Sequence, residues 1–224
     1  MTAKETQDKC IRLMGTDLGT LYYDLFSQVA WLHAKWEQYR ELFDRGSERI
    51  DLLNKTAPLF FGLLQDTLFD DVLLHLARLT DPPQSGPKSR PQDNLTLLRL
   101  TDLVNDRTLK THVKTALKGV QKSCKFAREW RNKRLAHTDL LIYRNRQAKP
   151  LATASCKNVE AALTAMRELL NSIEGHYSDS EVAYDLESEP GGADFLVYYL
   201  EEGLRVIDEK QYRRRKNSGS SASK

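Results

Sequence analysis

Apolar residues recur at three- and four-residue spacings along nearly the whole chain, and alternating β-branched runs are almost absent. That rhythm belongs to helices and predicts an all-α bundle. Leu21, Leu25, Val29, Leu32 and Trp36 mark a helix from 16 or 17 to about 44. Gly46 breaks it, and Ser47 stands where it would cap a short helix to 54. From 58 to 80 the chain is apolar nearly all round, the pattern of a helix in the middle of a bundle. DPPQSGPKSRPQDN, residues 81–94, is a loop by composition, with Asp93 or Asn94 placed to cap a helix over LTLLRLTDLV. A long helical pattern runs from 106 to about 143, and residues 145–150 interrupt it. Another amphipathic helix covers 157 to about 177, with Val159, Leu163, Met166 and Leu170 on one face. An acidic loop spans 178–192, and a final helix runs from 193 to about 215. The expected organisation is a lead at 1–15, one domain at 16–215 with long antiparallel helices and a Pro-rich loop at 81–93, and a disordered tail at 216–224.

Composition narrows the classes. Hydrophobic residues at 40% and charged residues at 29% exclude a disordered chain and a membrane protein. No run approaches the roughly 20 apolar residues that span a bilayer, so no membrane partner is expected. MTAKETQDKC has no apolar core of a secretion signal. Cys10, Cys124 and Cys156 are odd in number and widely spaced, which suits free thiols in a reducing cytosol, with no metal and no cofactor implied.

Charge is uneven. Between Asp106 and Arg146 there are twelve Lys/Arg against three acids, a local +9 in a chain of net +3. A basic segment in a mildly acidic chain suits a polyanionic partner, and equally a solvated lysine face. Lys110, Lys114, Lys118 and Lys122 recur at i, i+4 as a ridge able to meet a nucleic-acid backbone without reading bases.

On the same helix, Val113, Leu117, Val120, Cys124 and Ala127 recur at spacings of 4, 3, 4, 3 and form the stripe that seeks a core. The rhythm then lands on Arg131 and Arg134, two charges where the pattern asks for apolar groups. Unpaired burial of such groups is costly, so this line opens onto water, a cleft or an anion. Alternatively the stripe drifts to Trp130 and Leu135 while the arginine stems lie over apolar surface. Histidine titrates near neutrality and arginine offers phosphate a planar fork, a pairing suited to phosphodiester chemistry.

Arg131-Asn132-x-x-x-Ala136-His137 resembles the signature of the HEPN superfamily, in which a histidine follows an arginine and a polar residue; here five residues separate Arg131 and His137. The upstream stretch Arg78-Leu79-Thr80-Asp81-Pro82, followed by Asn94-Leu95-Thr96-Leu97-Leu98, is similar to the abortive-infection AbiU-type branch. The resemblance spans roughly residues 15–180. It implies a metal-independent ribonuclease in which two chains pair and line one cleft. His137 would then handle the proton of the 2′-hydroxyl or of the leaving oxygen, Arg131 would hold the phosphate, and Asn132 would orient its neighbours. Arg128 and Arg134 would contact RNA beside them. In a straight helix Arg131 and His137 lie about 120° apart, so either the helix distorts near His137 or a second chain completes the site.

Asp71, His75 and Arg78 form one polar line, with Asp71 placed to orient His75 and Arg78 to pair with Asp81. This line either supports the cleft or ties the helix to the loop as a buried network. His33, His112 and His176 read as surface or capping groups. The setting implied is phage defence or a toxin–antitoxin pair in the cytoplasm, with RNA, a second copy and an antitoxin as partners. The rival is a non-catalytic RNA- or nucleotide-binding subunit of a nucleotidyltransferase or other protein.

Overall fold

The computed structural model describes residues 2–135, 154–184 and 191–220. In chain order it holds α1 (Ala3–Met14), α2 (Thr16–Phe43), α3 (Ser47–Thr56), α4 (Pro58–Leu79), β1 (Gln84–Ser85), β2 (Gln92–Asp93), a 3-10 turn (Leu97–Arg99), α5 (Leu100–Leu103), α6 (Arg107–Ser123), α7 (Lys125–Trp130), a π-helical turn (Arg131–Leu135), α8 (Cys156–Ser178) and α9 (Ala193–Ser220). The fold is all-α. Its described strands form one two-residue antiparallel ladder, Gln84 opposite Asp93 and Ser85 opposite Gln92. No described helix is long and apolar enough to cross a membrane. The chain divides into two compact units, Met1–Ala34 with Asp70–Asp185 and Lys35–Phe69 with Leu186–Lys224.

In the first unit α6 packs along α8. The α6 stripe is buried as its spacing requires: Val113, Leu117, Val120, Cys124 and Ala127 are all in the core. They share it with Val159, Leu163, Met166 and Leu170 of α8, Leu25, Val29 and Leu32 of α2, and Val72, Leu73 and Leu76 of α4. The lysines of α6 take the other side, Lys114, Lys118 and Lys122 fully outward and Lys110 half-buried. Burial pushes the Cys124 thiol up to about 12. None of the three cysteines forms a disulfide. His33 is not a surface group: its ring is buried against Tyr184, centroids 5.3 Å apart. His112 and His176 are exposed.

The second unit is built on Trp36, Tyr39 and Phe69, with ring centroids 5.1 Å (Trp36–Tyr39) and 5.4 Å (Tyr39–Phe69) apart. Beside them Leu42, Leu53, Phe61, Ala193 and Val197 form a core cluster. Gln38 and Glu41 accept from the backbone N–H groups of Ala193 and Asp194 at 2.7 and 3.1 Å, satisfying two donors at the start of α9. Arg49 bridges the Glu41 carbonyl and the Asp194 carboxylate at 2.6 and 2.7 Å.

Several elements depart from the sequence pattern. Residues 3–14, expected as a lead, form α1, closed by a capping box in which Thr2 accepts from the Glu5 N–H and Glu5 accepts from the Thr2 N–H. Gly46, not Ser47, occupies the α3 N-cap, with no side-chain cap bond. Thr96, not Asp93 or Asn94, caps the turn that leads into α5. The first half of α4 is not interior: Leu59, Phe60 and Leu63 are exposed. The long helix expected from 106 is interrupted at Cys124, where Ser123 donates back to the Val120 carbonyl at 3.0 Å and competes with the helical ladder. The expected continuation to 143 lies outside the described residues, as do 185–190 of the acidic loop and residues 221–224.

The α1–α2 junction carries a direct prediction. Gly15 turns the chain at φ 82°, and a Cβ on Gly19 would stand 2.5 Å from the Cys10 carbonyl oxygen and 2.6 Å from the Ile11 Cα. Backbone cannot yield as a flexible side chain would. Gly19→Ala gains about 1 kcal/mol of helix propensity and loses more to the clash, which typically costs ~1–3 kcal/mol. A lower urea midpoint is expected, and an unchanged or raised one would contradict the packing.

Candidate functional site

The site begins where α4 stops. Pro82 and Pro83 cannot continue a helix. The last turn closes through Thr80, whose hydroxyl donates to the Leu76 and Ala77 carbonyls at 3.1 Å each, and through the Asp81 N–H to the Arg78 carbonyl at 3.2 Å. Asp81 is thereby placed just past the end of α4, at the head of the Pro-rich loop.

That loop is clamped by side chains that follow it. Thr96, fully buried, donates to the carbonyls of Leu79 at 3.0 Å and Asp81 at 2.8 Å. Asn94 donates to the Pro82 carbonyl at 2.8 Å. Arg99 donates to the carbonyls of Asn94 and Pro83, both at 2.8 Å, and pairs with Asp93. The Gln84 amide and Arg99 hold the Asp93 carboxyl below its usual range. The stretch Arg78–Pro82 and the stretch Asn94–Leu98 are thus one hydrogen-bonded structure, although eleven residues separate them in sequence.

The clamp delivers Asp81 to Arg131. The Arg131 Nη1 donates to Asp81 Oδ1, with side chains 21% and 19% exposed. Arg131 Nε donates to Asn132 Oδ1 at 3.0 Å. These bonds use two of the five guanidinium donors. Arg78, expected to pair with Asp81, is exposed instead, because Arg131 holds the carboxylate.

Arg131 to Leu135 form a π-helical turn, a local widening that recurs at functional sites. It takes Asn132 to Leu135 out of the α-helical phase. His137 itself lies outside the described residues. Asn132 and Arg134 are exposed, and the Arg134 guanidinium sits 5.0 Å from the Trp130 ring centroid. Arg128, on α7, is half-buried.

His75 is only 2% exposed, within the α4 core face, and Asp71 is half-buried. Between α6, α7 and α8 an open cleft of about 460 Å³ is lined by Lys122, Ser123, Lys125, Glu129 and Asn158, so one lysine of the ridge faces it. A second cleft of about 580 Å³ lies between the start of α2 and α5, lined by Asp17, Asp24, Arg99 and Asp102. Among the described residues no group of His, Cys, Asp or Glu is placed to hold a metal ion. Sequence reasoning missed Asp81 as the partner of Arg131, and Thr96 and Arg99 as its supports. The similarity at Arg78–Pro82 and Asn94–Leu98 was the available signal.

No curated protein and no solved structure matches the chain. A family model described as AbiU2, of the HEPN type, matches residues 15–194 and so takes in the Pro-rich loop, Asp81, Arg131 and the position of His137. The chain belongs to the HEPN AbiU2 family.

Proposed function

We propose that the protein is an endoribonuclease that cuts RNA without a metal, in a composite site formed by two copies of the chain, as an abortive-infection effector or toxin. The observation that carries this reading is an arginine anchored on a distorted turn at the end of a basic helical segment, in a chain of this family. Arg131 holds the scissile phosphate and neutralises its growing charge. Asn132, bonded to Arg131 Nε, fixes the plane of the guanidinium. His137 takes the 2′-hydroxyl proton or supplies one to the leaving 5′-oxygen, the second copy contributing the complementary group. The O2′–P bond forms as the P–O5′ bond breaks, which leaves a 2′,3′-cyclic phosphate and a 5′-hydroxyl. DNA lacks the nucleophile and is spared. Lys110, Lys114, Lys118 and Lys122 of α6, with Arg128 and Arg134, hold the flanking backbone.

Purified protein is incubated with RNA in EDTA, beside His137→Ala. Cleavage that survives chelation, yields cyclic phosphate ends and disappears in the variant supports the reading. A folded protein that cuts no RNA tested overturns it. One observation favours a second reading: Asp81 already holds Arg131, which weakens its pull on a phosphate. A non-catalytic RNA- or nucleotide-binding subunit, partnered by an antitoxin or a nucleotidyltransferase, would then show RNA binding without turnover.

A further inference from the structure

The last helix uses one side to close the second unit. Ala193 and Val197 of α9 are buried in the cluster with Leu42, Leu53 and Phe61, and Leu200 packs against it. On the opposite side Phe195, Tyr199, Glu202, Val206, Lys210 and Arg213 recur at spacings of 4, 3, 4, 4, 3. At about 100° per residue all six fall within roughly 40° of one line. Phe195 is 41% exposed, Tyr199 65% and Val206 41%. A solvated helix face is normally polar; large apolar groups in line along it are the mark of a face that is covered.

The polar members say what covers it. The acid Glu202 precedes Val206 by four residues, and the base Lys210 follows by four. A two-fold axis through Val206 sets Glu202 of one chain against Lys210 of a second copy, and Tyr199 against Arg213, each pair occurring twice. Glu202 already accepts from Arg205 at 2.7 Å, and a carboxylate has room for a further donor. The wider sequence has the same polarity: five acids and one arginine between 194 and 209, then five basic residues and no acid between 210 and 216. Parallel copies would align like charges, whereas antiparallel copies oppose unlike ones and also oppose their helix dipoles. Gly203 flanks the stripe with nothing within 4 Å of where a Cβ would stand. A glycine inside a helix is unfavourable, and here it leaves room for a second backbone.

We infer that α9 is a self-association surface, pairing antiparallel with α9 of a second copy about Val206. Only Ala193 and Asp194 of this helix fall within the family match, so the inference rests on α9 itself and not on the reading of Arg131 and His137.

The full chain is examined by sedimentation at micromolar concentration, with circular dichroism confirming that each variant is folded. A dimer is expected for the wild type, and Val206→Asp should raise its dissociation constant about tenfold or more. Glu202→Lys should raise the dimer dissociation constant about tenfold or more, and adding Lys210→Glu to the same chain should restore it. A wild-type monomer, or a dimer indifferent to Val206→Asp, overturns the surface. Failure of the double variant to recover overturns the antiparallel register. Pairing is read by mass and not by cleavage, so a dimer weakened by Val206→Asp supports this inference whether or not it cuts RNA, and a dimer indifferent to Val206→Asp overturns it while leaving the composite-site reading untouched.

Discussion

On the ribonuclease reading, Arg131→Ala should lower RNA cleavage by about 10²–10³-fold, the range for removing one preorganised donor from a developing oxyanion. Arg131→Lys should recover little of it. An ammonium is a point charge without the planar fork, and it cannot meet Asp81, Asn132 and a phosphate at fixed angles together. Asp81 enters the same measurement. Its carboxylate pairs with Arg131; on the ribonuclease reading it is a positioning residue, and Asp81→Asn should cost about 10–100-fold by leaving the guanidinium loosely held. The double variant Arg131→Ala with Asp81→Asn should then be no slower than Arg131→Ala alone, because Asp81 has nothing left to position. Additive losses would show that Asp81 acts elsewhere. A rise in activity for Asp81→Asn would make the ion pair a restraint on Arg131. Binding of a non-cleavable RNA analogue, measured beside the rates, separates loss of affinity from loss of the chemical step.

How much of this was legible from the amino acids varies with the range of the interaction. The α6 stripe was fully readable, because Val113, Leu117, Val120, Cys124 and Ala127 answer to one core and repeat at the helical period. Arg131 was readable as an anomaly on that stripe, but its partner was not. Helical arithmetic looks only along one element, so it offered Arg78 to Asp81, while the structure brings Arg131 from fifty residues away. The clamp that makes this possible runs through carbonyl oxygens of Leu79, Asp81, Pro82 and Pro83, and a backbone acceptor leaves no mark in a sequence. The interruption at Cys124 was hidden for the opposite reason: the apolar spacing continues across it unbroken, while the Cys124 backbone leaves the α-helical region at φ −89° and ψ 1°. For α1, the pairing of Thr2 with Glu5 was a visible start signal that the weakly apolar run behind it concealed. The exposed start of α4 shows that composition reports an apolar face without reporting whether anything covers it.

Thr96→Val tests whether the clamp and the site are one device. Valine matches the shape of threonine but removes the hydroxyl, leaving the carbonyls of buried Leu79 and half-buried Asp81 short of a donor. An unsatisfied buried group costs about 1–3 kcal/mol, so the urea midpoint should fall with little change in slope. Thr96→Ser, which keeps the donor, should sit near the wild type. The same loss should reach the chemistry, because Asp81 is fixed through the carbonyl that Thr96 holds, and Arg131 is fixed through Asp81. Cleavage by Thr96→Val is therefore expected to drop at temperatures far below its melting transition. Gly19→Ala provides the comparison: it is destabilised to a similar degree at the α1–α2 junction, where no hydrogen bond among the described residues leads to Arg131, and should cut RNA at the wild-type rate when folded. If both variants lose stability and neither loses activity, Arg131 is held without help from the Pro-rich loop. If Thr96→Val alone loses activity, the hydrogen bonds joining Leu79, Asp81 and Thr96 are what keep the guanidinium in place.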